Sequence, residues 1–352
     1  MSYEWSIDPA TLFSERYPQM LSSLPSADVN EVRSRIVSMW SDRPGGWVYE
    51  WSRLAERYAH ANDHYRSSLA YGWAKFPVLA DAPRRQAFQH QIEQYERASA
   101  TFDVTFRRRV FDVPYAGGTT AVPIHILAKH GLPADAPVLI ASGGVDTWKM
   151  DLHMLFSRIA LSLPYRVLAF DIPGTGESAI PLDPKAYQMV QGLIDIARKL
   201  GNGKVAHFGF SMGGYFSAQS ALSGEVDAAI VIGGPVEKSF ESGRIFEAGM
   251  DHIVGNAMGF ESLPTHDELM LGLSALTLRA LFNRNANSPM FVANGADDIH
   301  VPVEDTMVFN RCKQTLVSLV PDTGHCAIAN GKLETTVFPA MVRWLAALEL
   351  TK

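Results

Sequence analysis

Six short apolar runs punctuate the chain from residue 136 onward: "APVLIASGG", "YRVLAFDIPG", "KVAHFGF", "AAIVIGGP", "SPMFVANG" and "TLVSLVP". Each is continuous rather than alternating, and helical stretches separate them. A strand that is apolar on both faces must be covered on both, which describes a mostly parallel sheet with helices on each side. Two earlier segments, "FDVTFRRRVFDVPY" and "TTAVPIHILAKH", read as extended and are joined by Ala116-Gly117-Gly118, a hairpin signal. The expectation is an α/β chain of about eight mostly parallel strands, the first two antiparallel. The connection over residues 236–288 is too long for a simple crossover and reads as a helical lid insertion.

The N-terminal part differs. Residues 1–101 carry apolar residues at three- and four-residue spacing and read as a helical cap domain, ahead of a sheet domain over 102–352. Between Trp47 and Trp73 this region is unusually rich in Trp and Tyr. Such aromatics either pack a core or line a ligand pocket. Trp51, Tyr65 and His64 are the residues to watch for the second use. A homodimer surface is the other use for the helical region.

Composition excludes several classes. A formal net charge of -6 over 352 residues offers no concentrated basic surface for nucleic acid. Arg107-Arg108-Arg109 lies in a strand-like stretch and reads as a solvated strand face. Two cysteines, Cys312 and Cys326, make neither a disulfide framework nor a zinc site. The first residues lack a basic start and an apolar run, and no apolar run approaches the ~20 residues that cross a bilayer. A cytoplasmic protein with a small-molecule substrate, no metal and no cofactor is expected. Gly174-Thr175-Gly176-Glu177-Ser178 lacks the ending of a phosphate loop. His60 and His64 stand four apart, without the pattern or third ligand of a zinc site.

The chemistry is concentrated in "HFGFSMGGYFSA". Here Gly209-Phe210-Ser211-Met212-Gly213 is a G-x-S-x-G motif between an apolar strand and a helix, the context of a nucleophile elbow. The small residues at minus two and plus two give room for a sharp turn that projects the Ser211 hydroxyl. A serine nucleophile needs a base and an orienting acid, in the order Ser, Asp, His in such a fold. Asp298 in "FVANGADDIHVP" and His325 in "VPDTGHCAI" stand in that order, with Asp297 and His300 as competitors. The backbone N–H of Met212 is one oxyanion donor. The second comes from Ser142-Gly143-Gly144-Val145-Asp146, from the N–H of Val145 or Gly144. Cys326 reads as a packed thiol.

Together with "PVLIASGGVDTWKMD", "VLAFDIPGTGES" and "VIGGPVEKSF", these residues resemble the α/β-hydrolase superfamily and, within it, the FrsA-like esterases. That resemblance implies a helical N-terminal region before the core, with Ser211 as nucleophile, Asp298 as acid and His325 as base. It extends to relatives that cleave carbon–carbon bonds in β-diketone or polyketide-like substrates and use an additional acidic residue in the lid; Glu241 and Glu247 in "SFESGRIFEAG" are the candidates. Three functions follow: an ester hydrolase working through an acyl-serine, a carbon–carbon bond hydrolase with the same triad, and a non-enzymatic binding protein that keeps the fold.

Overall fold

The computed structural model describes residues 3–284 and 286–350. Among these, eight strands form one sheet: β1 (Thr105–Tyr115), β2 (Gly118–Ala128), β3 (Val138–Ser142), β4 (Arg166–Phe170), β5 (Val205–Phe210), β6 (Ala228–Ile232), β7 (Met290–Gly295) and β8 (Thr315–Val320). Their spatial order is β1-β2-β4-β3-β5-β6-β7-β8. β2 runs antiparallel to both β1 and β4, and all other pairs are parallel. The β1–β2 hairpin closes through Ala116 and Gly117, at φ 51° and 83°. Positive φ at both loop residues is the turn whose twist matches that of paired strands. Every residue of β3, β5, β6 and β7 is buried. That burial accounts for the continuous apolar runs.

The helices are α1 (Pro9–Ser23), α2 (Ser26–Arg33), α3 (Trp47–His60), α4 (His64–Ala74), α5 (Ala82–Ala98), α6 (His153–Ser162), α7 (Tyr187–Lys199), α8 (Met212–Leu222), α9 (Met250–Ala257), α10 (His266–Ser274), α11 (Arg279–Phe282), α12 (Val303–Met307) and α13 (Phe338–Ala347). The chain forms two compact units. One comprises the residues up to Phe102 together with Ala248–Asn256 and Phe260–Pro264; the other holds Asp103–Glu247, Ala257–Gly259 and the chain from Thr265. The stretch 236–288 is therefore not one helical lid. It breaks into α9, α10 and α11 with loops between, and part of it clusters with the N-terminal helices. The Trp5 ring packs on His252 with centroids 5.2 Å apart, and the Tyr3 hydroxyl donates to the His252 carbonyl at 2.9 Å.

The aromatic stretch builds the core of the helical unit. Trp47 and Trp51 stand one turn apart on α3, and both are fully buried. Phe13 stacks on Trp51 at 5.9 Å, Trp73 lies 6.0 Å from Trp51, and the Trp47 indole N–H donates to the Trp73 carbonyl at 2.7 Å. Trp51 is thus a core side chain, which corrects its reading as a ligand-lining residue: none of its surface is exposed. His60 and His64 do not share a helix face, because α3 ends at one and α4 begins at the other.

Candidate active site

β5 ends at Phe210 and α8 starts at Met212, so Ser211 alone makes the turn. Its backbone sits at φ 55° and ψ -125°, a region that L-residues with side chains seldom occupy. The flanking glycines make the turn fit. A Cβ on Gly209 would lie 2.1 Å from the Gly213 carbonyl oxygen, and one on Gly213 would lie 2.5 Å from that of Gly143. The Ser211 N–H is held by the Ile232 carbonyl at 2.7 Å, which ties the turn to the end of β6.

The loops after β7 and β8 bring two side chains to this serine. The Ser211 hydroxyl is 2.9 Å from His325 Nε2, and His325 Nδ1 is 2.7 Å from Asp298 Oδ2. Asp298 Oδ1 accepts from the backbone N–H groups of His300 and Val301 at 2.7 and 3.1 Å. Asp297 is exposed and offers only its backbone, donating to the Thr323 carbonyl at 3.0 Å. His300 is not in the relay; its ring packs edge-on against His325, with centroids 5.5 Å apart. Burial opposes charge on Asp298, but the His325 ring and the N–H donors outweigh it and hold the carboxyl below its ordinary value. Burial likewise opposes a charged His325, yet Cys326 and the Asp298 carboxylate outweigh it, and the imidazole lies well above its ordinary value. Since burial pushes the Cys326 thiol up, keeping it neutral near pH 7, the effective partner is Asp298.

The loop after β3 approaches the serine from the other side. A Cβ on Gly144 would lie 2.8 Å from that of Ser211, so only glycine permits this approach. The Gly144 N–H donates to the Thr147 carbonyl at 2.9 Å, and the Trp148 indole N–H donates to the Val145 carbonyl at 3.1 Å. With the Gly144 N–H engaged, the Val145 N–H is the one of the two expected donors that this turn leaves for a ligand oxygen. The Met212 N–H opens α8, where first-turn N–H groups have no acceptor within the helix. Lys149 anchors the same loop. Its buried ammonium contacts Asp171 at 2.5 Å and Glu177 at 2.8 Å, and its backbone N–H donates to Asp171 Oδ1 at 2.9 Å. Burial disfavours the ammonium, but the two carboxylates outweigh that and keep it charged.

This fold and this arrangement can be set beside known proteins. Residues 6–316 match the profile of the family described as esterase FrsA-like. The chain belongs to the FrsA-like esterase family. Relatives of this FrsA-like chain include the alpha/beta hydrolase pydG of Acremonium sp, 25% identical over 63% of this chain and 59% of its own length. The esterase FrsA of Citrobacter koseri is 24% identical over 85% of this chain and 76% of its own. The chain spans 59% and 61% of the length of two fungal relatives it matches, pydG and xenA. Among solved structures, AbyA5 wild type superposes with a TM-score of 0.78 at 18% identity, covering 95% of this chain and 97% of its own. The 2,6-dihydroxy-pseudo-oxynicotine hydrolase gives 0.74 at 19% identity, covering 95% and 96%. These likenesses show an α/β-hydrolase fold.

Other residues singled out in this FrsA-like chain lie elsewhere. Glu241 is partly exposed and contacts Lys238 at 2.7 Å and Arg279 at 2.5 Å, so its carboxylate is engaged at the surface. Glu247 is exposed. Within the helical unit, His64 Nδ1 is 2.7 Å from Gln94 Oε1, and the partly buried Tyr65 ring packs edge-on against Phe102 at 6.0 Å. Two residues that hold the site's loops, Lys149 and Asn294, escape sequence reasoning. For Asn294, an amide at the end of a buried apolar run is the available signal. Among the described residues, no group of three or more His, Cys, Asp or Glu could hold a metal ion, and no helix is long and apolar enough to cross a membrane.

Proposed function

We propose that this chain is a serine hydrolase that cleaves a carboxylic ester of a small or medium apolar molecule through an acyl-serine. One observation carries the reading: the hydrogen-bonded series Ser211 Oγ, His325 Nε2, His325 Nδ1, Asp298 Oδ2, at 2.9 and 2.7 Å. In the first step His325 Nε2 takes the hydroxyl proton as Ser211 Oγ bonds to the ester carbonyl carbon. The carbonyl oxygen becomes an oxyanion, met by the N–H groups of Val145 and Met212. Asp298 stabilises the imidazolium. The imidazolium then returns its proton to the leaving alkoxide as the carbon–oxygen bond breaks, leaving Ser211 acylated. Water, deprotonated by His325, releases the acid and restores the serine.

A second reading keeps the triad and changes the leaving group. The resemblance of the sequence to hydrolases that cleave carbon–carbon bonds motivates testing that cleavage on a β-diketone. There the proton would go to carbon instead of oxygen. Purified protein and Ser211→Ala are assayed on nitrophenyl esters and aryl β-diketones, and probed with a fluorophosphonate. Turnover of esters, with labelling only in the parent, supports the ester reading. Turnover confined to diketones supports the second. Labelling that persists in Ser211→Ala rejects Ser211 as the nucleophile in both readings, and no labelling with no turnover in the parent rejects both and leaves a binding protein.

A further inference from the structure

Asp298 and His325 reach the serine from two different loops, and one buried side chain joins those loops. Asn294, the penultimate residue of β7, is 1% exposed. A buried amide without partners is destabilising, so both of its ends should be bonded, and they are. Its Nδ2 donates to Asp298 Oδ2 at 2.7 Å, the same oxygen that faces His325 Nδ1. Its Oδ1 accepts the Cys326 N–H at 2.9 Å. The partners dictate which end is which: a carboxylate can only accept, and a backbone N–H can only donate. Cys326 itself sits at φ 57°, so the chain just after His325 makes a sharp bend whose amide needs an acceptor.

We propose that Asn294 is a positioning residue that locks the acid loop to the base loop and thereby aims the His325 ring at Ser211. The inference rests on the serine hydrolase reading above. Asn294 makes its hydrogen bonds to Asp298 and to the Cys326 amide, not to the serine, and acts through those two. Its amide also shares the charge of Asp298 Oδ2. A carboxylate with one donor fewer binds protons more strongly and holds a proton on the neighbouring imidazole more firmly. The titratable groups around the ring are Asp298, Cys326 and His300. A change at position 294 therefore reaches His325 through Asp298, whose oxygen it directly contacts.

The test separates aim from stability. Asn294→Leu removes both bonds. Asn294→Asp has the same shape, keeps an acceptor for the Cys326 N–H, and replaces the donor to Asp298 with a second carboxyl. Turnover is measured per active site titrated with a fluorophosphonate, together with the pH profile of kcat/KM. For Asn294→Leu we expect kcat per labelled site to fall about 10- to 100-fold, part of what a general base contributes, with KM within about threefold of the parent. In Asn294→Leu the acid limb should move to higher pH; in Asn294→Asp the two carboxyls share one proton, the donor to Asp298 is restored, and kcat and the limb should stay near the parent. A structural role would lower the number of labelled sites and leave the profile where it was. Parent kcat and an unmoved limb in folded Asn294→Leu overturn the proposal, and so does a loss in Asn294→Asp as large as in Asn294→Leu, or loss of folding in both. A parent that resists the label sinks the serine hydrolase reading instead, whereas a labelled parent, an unlabelled Ser211→Ala and an unchanged Asn294→Leu sink this inference alone.

Discussion

The helical unit and the sheet unit bury different things. In the helical unit the buried surface is aromatic: Phe13, Trp47, Trp51 and Phe76 pack ring on ring. Of its buried cations, Arg84 is satisfied by Asp81 and by the carbonyls of Phe76 and Met39. In the sheet unit, polar groups are buried where the strands end: Asp171 after β4, Asn294 on β7, Asp298 beyond it, and Lys149 in the loop after β3. Rings interchange with other rings at a loss of packing. A buried carboxylate or ammonium deprived of its partner loses much more, because the low-dielectric interior leaves an uncompensated charge. Stability should therefore respond to change in both units, but turnover in only one.

The largest effect should come from the serine. Ser211→Ala removes the attacking oxygen without crowding the turn, and turnover should fall by about 10⁴ to 10⁶ with an unchanged Tm. A smaller loss would mean that another group attacks. Asp298→Asn should come next, with about a 10⁴-fold loss, because the amide no longer holds the ring in the right tautomer. Asp297→Asn, exposed and outside the relay, should stay near parent turnover. Equal losses in the two would erase the distinction between them.

The pH profile gives an intermediate effect. His325 accepts a proton only when neutral, so activity is present above its pKa and is lost as pH falls through it. That pKa is raised, so the acid limb of kcat/KM should lie above the ordinary imidazole value of 6.5 and fall roughly tenfold per unit below the midpoint. A limb below pH 6.5 contradicts the Asp298 contact.

Two substitutions sharpen the contrast between the units with the least change in turnover per folded molecule, and thermal unfolding reads them. Lys149→Met strands Asp171 and Glu177 without their cation and should destabilise by about 3–5 kcal/mol. Because Lys149 belongs to the loop that carries Val145, kcat per labelled site should also drop. Trp51→Ala opens a cavity among rings and should destabilise by about 3–5 kcal/mol, while kcat per labelled site stays close to parent. If Trp51→Ala instead changes kcat with little loss of stability, the division between the units does not hold.

Much of the sheet is legible in the sequence. Continuous apolar runs imply burial on both faces, and burial on both faces implies parallel strands covered by helices; β3, β5, β6 and β7 are buried at every position for that reason. The 236–288 stretch was less legible. Helical composition cannot tell which neighbour a segment packs against, and Tyr3 and Trp5, far away in sequence, claim its middle.

By itself the sequence determined the alternation of strands and helices, the glycine-flanked turn at Ser211 and the chain order of Ser211, Asp298 and His325. These are local: periodicity and small residues act within a few positions of themselves. Only the tertiary structure brought Asp298 rather than Asp297, and His325 rather than His300, into the hydrogen-bonded series with Ser211, and tied the Gly144 N–H to the Thr147 carbonyl. It alone showed Trp51 as core and Asn294 and Lys149 as partners of the site's loops. Each of those choices depends on a hydrogen bond or a ring contact across tens of residues, such as the 32 separating Asn294 from Cys326. Such a contact exists only once the strands have been brought side by side.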